Sequence, residues 1–474
     1  MAALKDPKEF KDHARAALLD SDLQKAMAKA EIKFVTKRAE AVERLPEFDQ
    51  LRDRAVEIKN HVLAHLDTYL EMFESRVIEA GGQVHWCETP EQARQTILKL
   101  CRSRDAKTVT KGKSMITEEI ELNNFLEAHD IEPVETDLGE YIIQLADETP
   151  SHIIGPAVHK TKDQIADLFA DHHRKHGKTK RLTEGEDMVA EAREIMRQRY
   201  LDADVGITGA NFLIAETGAT VIVTNEGNGD LTQCLPKMHI AVASIEKIVP
   251  TLEDATTLLR ILARSATGQE MSVYTTFSAG AKRVDDVDGP EEFHVVLLDN
   301  GRSKLLGSEF QDILRCIRCG ACMNHCPVYA AIGGHSYGAV YMGPVGAVMT
   351  PHLIGLESGR HLPNASSFCG RCAEVCPMRI PLPKLMRKWR EKSFAEKVTP
   401  PNERWGIKLW AFAAKRPWIY RLGTGMAMAL LGRLGRRKGR FTAVPLAGGW
   451  TNGRDLPAPE GTTFMTAYKR SQKS

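Results

Sequence analysis

Seven cysteines in two short runs constrain this chain more than any other feature. Cys316, Cys319, Cys322 and Cys326 are followed at once by Pro327; Cys369, Cys372 and Cys376 are followed by Pro377. The first run reads C-x2-C-x2-C-x3-C-P. Three cysteines two residues apart wrap a chain around one iron–sulfur cluster, and the fourth, three residues further on, points away to serve a second. The proline has no N–H and a fixed φ, so it redirects the chain at that point.

Other uses of cysteine fit less well. Zinc would be satisfied by two C-x2-C pairs, leaving the remaining cysteines and both C-P steps without a role. A disulfide framework conflicts with the crowding and with an N-terminus, MAALKDPKEFKDHARAALLD, that lacks an apolar export signal. Haem attachment needs C-x2-C-H, and no histidine follows either pair. The crossed rule assigns Cys316, Cys319, Cys322 and Cys376 to one cluster and Cys326, Cys369 and Cys372 to the other. The second set is one thiolate short, and its pattern resembles the iron–sulfur subunit of succinate dehydrogenase. The second cluster is therefore expected to be [3Fe-4S], or [4Fe-4S] with a non-cysteine ligand. Arg315, Arg318, Arg371 and Arg379 flank the motifs, where they either raise a cluster's potential or form a solvated rim.

A chain of 474 residues predicts two or three domains. With 43% hydrophobic and 27% charged residues it reads as a folded, soluble protein, and a net charge of +2 gives no nucleic-acid footprint. No apolar run reaches membrane-spanning length. Thiols in cluster spacing predict a reducing, cytoplasmic setting.

Residues 1–75 read as a helical N-terminal region. Residues 76–300 read as α/β, with a mostly parallel sheet. The expected strands are Thr108–Thr110, Glu132–Glu135, Val205–Thr208, Ala219–Val223, His239–Ser244 and Phe293–Leu298. The expected helices are Glu91–Arg102, Thr117–Ala128, Lys162–Asp171, Thr183–Tyr200 and Thr251–Ala266. Residues 305–395 hold the cysteine motifs, joined by a long Gly-rich link that predicts an all-helical ferredoxin-type module. Residues 396–474 are basic, with an apolar LGTGMAMALLG between Arg421 and Arg433 and an extended Gly/Pro-rich tail after Phe441. A basic flank beside an apolar stretch suits peripheral contact with a membrane surface, or a helix docked on a partner or on its own core.

Nucleotide fingerprints are incomplete. Thr110-Lys111-Gly112-Lys113-Ser114 lacks the earlier P-loop glycine, which would fall at Lys107; Gly227-Asn228-Gly229 does not extend to G-x-G-x-x-G. Glu216, Asn225, Glu226 and Asn228 sit at the two ends of the strand around Val221, where they mark either an α/β crevice or ordinary turns. Glu140, Ser151, His152 and His159 read as core or loop residues, and His172, His173 and His176 as a solvated group. Cys87 and Cys101 read as small buried apolar residues. Cys234 is a weak candidate for the eighth thiolate, since no spacing supports it.

Several stretches together resemble one family: KSMITEEIELNNFL, ETDLGEYIIQLADETPSHIIGPAVHK, GITGANFLIAETGATVIVTNEGN, LPKMHIAVASIEKIVPT, CIRCGACMNHCPVY, YMGPVGAVMTP, CGRCAEVCPMRIPL and FTAVPLAGGWTNGRDLPAP. The chain is similar to the lactate utilization protein B family over nearly its whole length. The resemblance implies that the α/β part is a LUD domain, related to the sugar-isomerase and CoA-transferase superfamily, and that the ferredoxin part holds two cubane-type clusters. It further implies a non-catalytic electron-transfer subunit that works with lactate utilization proteins A and C to oxidise L-lactate to pyruvate and passes electrons to a further acceptor. Another 2-hydroxy acid such as glycolate, or a LUD-domain enzyme using Glu216 or Glu226 with redox-sensing clusters, are the rival expectations.

Overall fold

The computed structural model describes residues 5–112, 114–444, 448–451 and 453–472. The chain divides into two compact units, Met1–Ser393 and Phe394–Ser474. Lys113 of the incomplete P-loop stretch lies outside the described residues, as do residues 445–447, 452, 473 and 474 of the tail.

The first unit begins with helices Phe10–Leu19, Ser21–Glu43, Phe48–Ala64 and Leu66–Glu79. The strands that follow among the described residues are β1 Gln83–Cys87, β2 Thr108–Lys111, β3 Glu132–Glu135, β4 Val205–Gly209, β5 Phe212–Ile214, β6 Ala219–Thr224, β7 Met238–Ser244, β8 Ile248–Val249, β9 Tyr274–Ser278 and β10 Glu292–Leu298. Six of them form one sheet in the order β1-β10-β7-β4-β2-β3, and every pairing in it is parallel. The central strands β4 and β7 are buried at every position, as a parallel sheet covered on both faces requires.

The strand expected at Ala219–Val223 belongs elsewhere. β6 sits in a second, four-stranded sheet ordered β8-β5-β6-β9 and runs antiparallel to both of its neighbours. The β5–β6 hairpin is tight enough that a Cβ on Gly218 (φ +68°) would meet the backbone of Arg76 and Val77 at 2.7 Å. The helix expected at Thr117–Ala128 is two short ones, Met115–Glu119 and Leu122–Glu127, split by a left-handed Glu121 (φ 51°) that lets both Ile120 and Leu122 be buried. The helix Leu252–Thr267 starts on Thr251, whose side chain accepts the Asp254 N–H, and stops at Gly268 (φ 72°).

After β10 the chain is helical through Leu382–Ala395. Its cysteine segments share one core with the N-terminal helices and the small sheet: Met27, Phe48, Phe212, Val221, Leu258, Tyr337, Val348 and Trp389 belong to the same buried cluster. Hydrogen bonds bind the same parts. Arg52 donates to the carbonyls of Glu374 and Cys376, Arg38 to that of Val375, and Gln24 to that of Ala331.

His173 is not solvated. It is fully buried between Tyr141 (Oη–Nε2 3.0 Å) and Glu191 (Nδ1–Oε1 2.7 Å), while His172 and His176 are exposed. The Lys/Arg-rich composition around it hid one inward-facing position of a turn. Cys87 and Cys101 are buried.

In the second unit, helices Pro401–Ala414 and Pro417–Gly435 bury only Gly435. Trp405, Leu409, Trp410, Trp418, Leu422, Met426 and Leu430 are all exposed. Among the described residues, no helix is long and apolar enough to cross a membrane. Arg440–Phe441 and Leu456–Pro457 pair as short antiparallel strands, and the helix Phe464–Ser471 follows, so the tail is not simply extended.

Candidate metal centre

Each cysteine motif is shaped by backbone that only a few residue types tolerate. Arg318 (φ 56°) and Gly320 (φ 74°) in the first, and Phe368 (φ 56°) and Gly370 (φ 86°) in the second, take left-handed conformations, which turn successive cysteines toward one point. Backbone N–H groups then point at sulfur: Arg318 N donates to Cys316 Sγ (3.4 Å) and Ile380 N to Cys376 Sγ (3.5 Å). Donors of this kind stabilise thiolate ligands and tune the potential of the iron they hold.

The sulfurs fall into two sets. Burial is the main reason that the thiols of Cys316, Cys319, Cys322, Cys372 and Cys376 are raised, Cys319 and Cys372 up to about 12 and Cys376 to about 11. The next contribution shows who neighbours whom. Cys322 feels Cys316, Cys319 and Cys376, and more weakly Cys372; Cys372 feels Cys326 and Cys369. Cys316, Cys319, Cys322 and Cys376 also line one small cavity, closed by Ile153, Val345, Met378 and Leu382. Cys326 and Cys372 are buried and Cys369 is exposed, so the second set opens at the surface.

Iron–sulfur chemistry fits these donors better than a single ion. Four thiolates on zinc, at about 2.3 Å each, would stand ~3.8 Å apart. Among the described residues, no three cysteine sulfurs lie within 4.8 Å of one another. The cysteine sulfurs are thus spaced more widely than a single tetrahedral ion allows. Cys234 takes no part: it is exposed, beside Asp230 and Asp288.

Cations collect on the inner side of the first set. Arg318 is paired with Glu246 (3.1 Å) and lies over the Tyr341 ring. Glu246 also receives Arg302 (3.1 Å). Burial alone would raise its carboxyl, but Arg302, Arg318 and Lys247 together hold it at about 2. Lys247, 5% exposed, is lowered to about 7 by burial first and by Arg318 second, while Glu246 and Cys316 pull it back up. Arg315 is buried against Asn60, whereas Arg371 and Arg379 form exposed pairs with Glu374 and Asp53. The four flanking arginines thus divide two and two between interior and rim.

A cavity of about 430 Å³ adjoins this cationic wall. It lies at the carboxyl ends of β2, β4 and β7, the usual place for a ligand in an open parallel sheet. Its polar lining includes Ser114, Asp137, Asn211, Ser244, Lys247 and Arg318, and Ile153 and Arg318 line both this cavity and the cysteine cavity. Of the four crevice candidates, Asn225 and Glu226 line it. Glu216 instead accepts the Leu252 N–H (2.6 Å) at a helix start, and Asn228 is buried outside it. Sequence reading missed Lys247 and Glu246. The available signal was a charged pair inside an otherwise apolar HIAVASIEKIV run.

His152, His159 and His335 make internal contacts. His152 bonds Asn324 (2.7 Å) and stacks on Phe34. His159 is held between Ser151 (2.6 Å) and Glu148 (2.7 Å), with His335 packed against its ring.

Comparison with known proteins agrees with this anatomy. Residues 70–298 match the LUD domain family, residues 312–380 the 4Fe-4S dicluster domain, and residues 386–473 the C-terminal domain of lactate utilisation protein B. The protein is thus an iron–sulfur protein built on a LUD domain. Lactate utilization protein B of Bacillus pumilus is 43% identical over 98% of both chains, and that of Shouchella clausii 44% identical over 98% of this chain and 97% of its own. An Escherichia coli relative, the uncharacterized electron transport protein YkgF, is 42% identical over 98% and 97%. The chain belongs to the lactate utilization protein B family.

The grouping of sulfurs predicts paired phenotypes. Cys376→Ala should remove the same EPR signal as Cys316→Ala, and Cys326→Ala the same signal as Cys372→Ala, each with loss of about half the iron. A Cys376→Ala protein that instead resembles Cys372→Ala would show that the ligands do not cross between motifs.

Proposed function

We propose that this chain is the electron-transfer subunit of a system that oxidises L-lactate to pyruvate, acting with lactate utilization proteins A and C and delivering electrons to a further acceptor. Two clusters are proposed, one on Cys316, Cys319, Cys322 and Cys376 and one on Cys326, Cys369 and Cys372, both of the [4Fe-4S] type. When bound, they supply one-electron transfer. The observation that carries the reading is the placement of two sulfur sets side by side, one buried against the LUD cavity and one reaching the surface at Cys369. The LUD fold is proposed to be of the sugar-isomerase and CoA-transferase kind. An enzymatic role through Glu216 loses support, because that carboxylate caps a helix.

The chain's own residues prepare the inner site. Arg318, fixed by Glu246, presents its backbone N–H to Cys316 and its guanidinium to the cavity. Lys247 places a second cation between Cys316 and that cavity. Positive charge there favours the reduced form of a bound cluster and suits an anionic ligand such as a 2-hydroxy acid.

We also propose a cytoplasmic protein whose second unit rests on the inner face of an anionic membrane. Its exposed tryptophans and leucines, interspersed with Lys415, Arg416, Arg421 and Arg433, have the composition of an interfacial surface.

A strain lacking this chain should fail to grow on L-lactate and grow normally on pyruvate; loss of growth on glycolate alone would move the substrate to that acid. Lys247→Met should lower the potential of the centre beside Cys316, on the order of 59 mV for each 1.4 kcal/mol of lost interaction. Potentiometric EPR reads this, and an unchanged potential would remove Lys247 from that role. The full chain should sediment with phosphatidylglycerol vesicles at low salt, and joint replacement of Trp405, Trp410 and Trp418 by Ala should weaken this about tenfold. Failure of the native chain to bind such vesicles would exclude the membrane contact.

A further inference from the structure

The two cysteine motifs are copies of one structural unit fifty positions apart, and the copy shows what stands where the second set lacks a thiolate. In the first, a 3-10 turn (Gln311–Arg315) leads through Cys316 and a left-handed Arg318 to Cys319, then through a left-handed Gly320 into the helix Ala321–Asn324 and on to Cys326-Pro327. In the second, a 3-10 turn (Leu362–Asn364) leads through Ser366 and a left-handed Phe368 to Cys369, then through a left-handed Gly370 into the helix Arg371–Glu374 and on to Cys376-Pro377.

Hydrogen bonds repeat with the backbone. Met323 N donates to Gly320 O as Ala373 N does to Gly370 O, both at 3.0 Å, and Cys326 N donates to Met323 O as Cys376 N does to Ala373 O. The decisive pair lies at the head of each motif. Arg318 N donates to Cys316 Sγ (3.4 Å), and Phe368 N donates to Ser366 Oγ (3.1 Å). The Ser366 hydroxyl therefore occupies the Cys316 position and receives the same N–H as the sulfur. Ser366 is partly buried, and its neighbour Ser367 is exposed.

We infer that Ser366 is the fourth ligand of the second cluster, completing the set Cys326, Cys369, Cys372 and Ser366. This rests on the proposed two-cluster reading and goes beyond it by naming the missing donor. On binding, the hydroxyl proton passes to solvent as the Fe–O bond forms, so the alkoxide brings the same single negative charge as a thiolate. Oxygen is a harder donor than sulfur and favours the more oxidised iron, which makes the two clusters unequal in potential although both are cubanes. Among the described residues, two other buried hydroxyls stand near: Tyr329, in the field of Cys326, which donates to the Ser151 carbonyl, and Tyr337, within the field of Cys326 and Cys322, whose Oη has no hydrogen-bond partner. Nothing in the repeat places either at a ligand position.

The test uses full-length protein purified anaerobically, with iron analysis, EPR and Mössbauer spectroscopy. Native protein should hold about eight irons per chain and show no [3Fe-4S] signal when oxidised. Ser366→Ala should hold about seven and gain that signal, and Ser366→Cys should return to about eight. Ser366→Cys also guards against a Ser366→Ala protein that fails to fold: it should shift the Mössbauer parameters of one iron site toward all-thiolate values. The inference is overturned if native protein already shows the [3Fe-4S] signal, if Ser366→Cys leaves every iron site unchanged, or if Tyr337→Phe rather than Ser366→Ala loses the iron. Native protein without iron would instead refute the two-cluster reading itself.

Discussion

A buried carboxylate holds the electron-carrying part of this molecule to its α/β part. Glu246, just past the carboxyl end of β7, binds Arg302 from the segment after β10 and Arg318 from inside the first cysteine motif. Arg302 is fully buried and continues to Glu119 (2.6 Å), which accepts the Tyr341 hydroxyl from the link between the motifs. Apolar packing alone would allow the cysteine loop to settle in several ways on the end of the sheet. A chain of alternating charges allows one, since removing a single partner from such a buried pair costs about 3–5 kcal/mol. The position of Cys316, and with it the first sulfur set, follows from that lock.

The same lock accounts for the closeness of the cavity and the sulfurs. Arg318 is at once a wall residue of the 430 Å³ cavity and the donor to Cys316. A ligand in the cavity and iron on the cysteines would therefore share a polar group and a second wall residue, Ile153. Neither half is complete alone: the sheet provides Ser244 and Lys247, and the cysteine motif provides Arg318.

Much of this could be read from the sequence, and the failures have physical causes. The central strands and the long helices are clear because β4, β7 and Leu252–Thr267 carry strong periodic or continuous apolar patterns. β1 was missed because it is an edge strand with His85 and Trp86 partly exposed, and β5 and β8 because they are three and two residues long. The proposed pairing of cysteines into two sets rests on spacing, which cluster geometry imposes. The assignment of β6 to the parallel sheet failed because burial pattern does not encode partner or direction. Glu246 and Lys247 escaped notice because a buried charge is recognisable only once its counter-charges, here more than fifty residues away in sequence, are brought together. Ser366 was invisible for a similar reason: a serine three residues before a cysteine is unremarkable until the backbone of one motif is laid on the other.

The crossing of ligands has a mechanical side. With the proposed crossing, Cys376 returning to the first motif and Cys326 reaching forward to the second, iron at either set would close a loop of roughly fifty residues that would otherwise bear its full conformational freedom. The segment inside that loop carries Tyr341 and the buried helix Gly343–Leu353. Iron bound in that way would be a fastener as well as a carrier of charge. Oxidative loss of iron at the exposed Cys369 would then also free the chain that carries Tyr341.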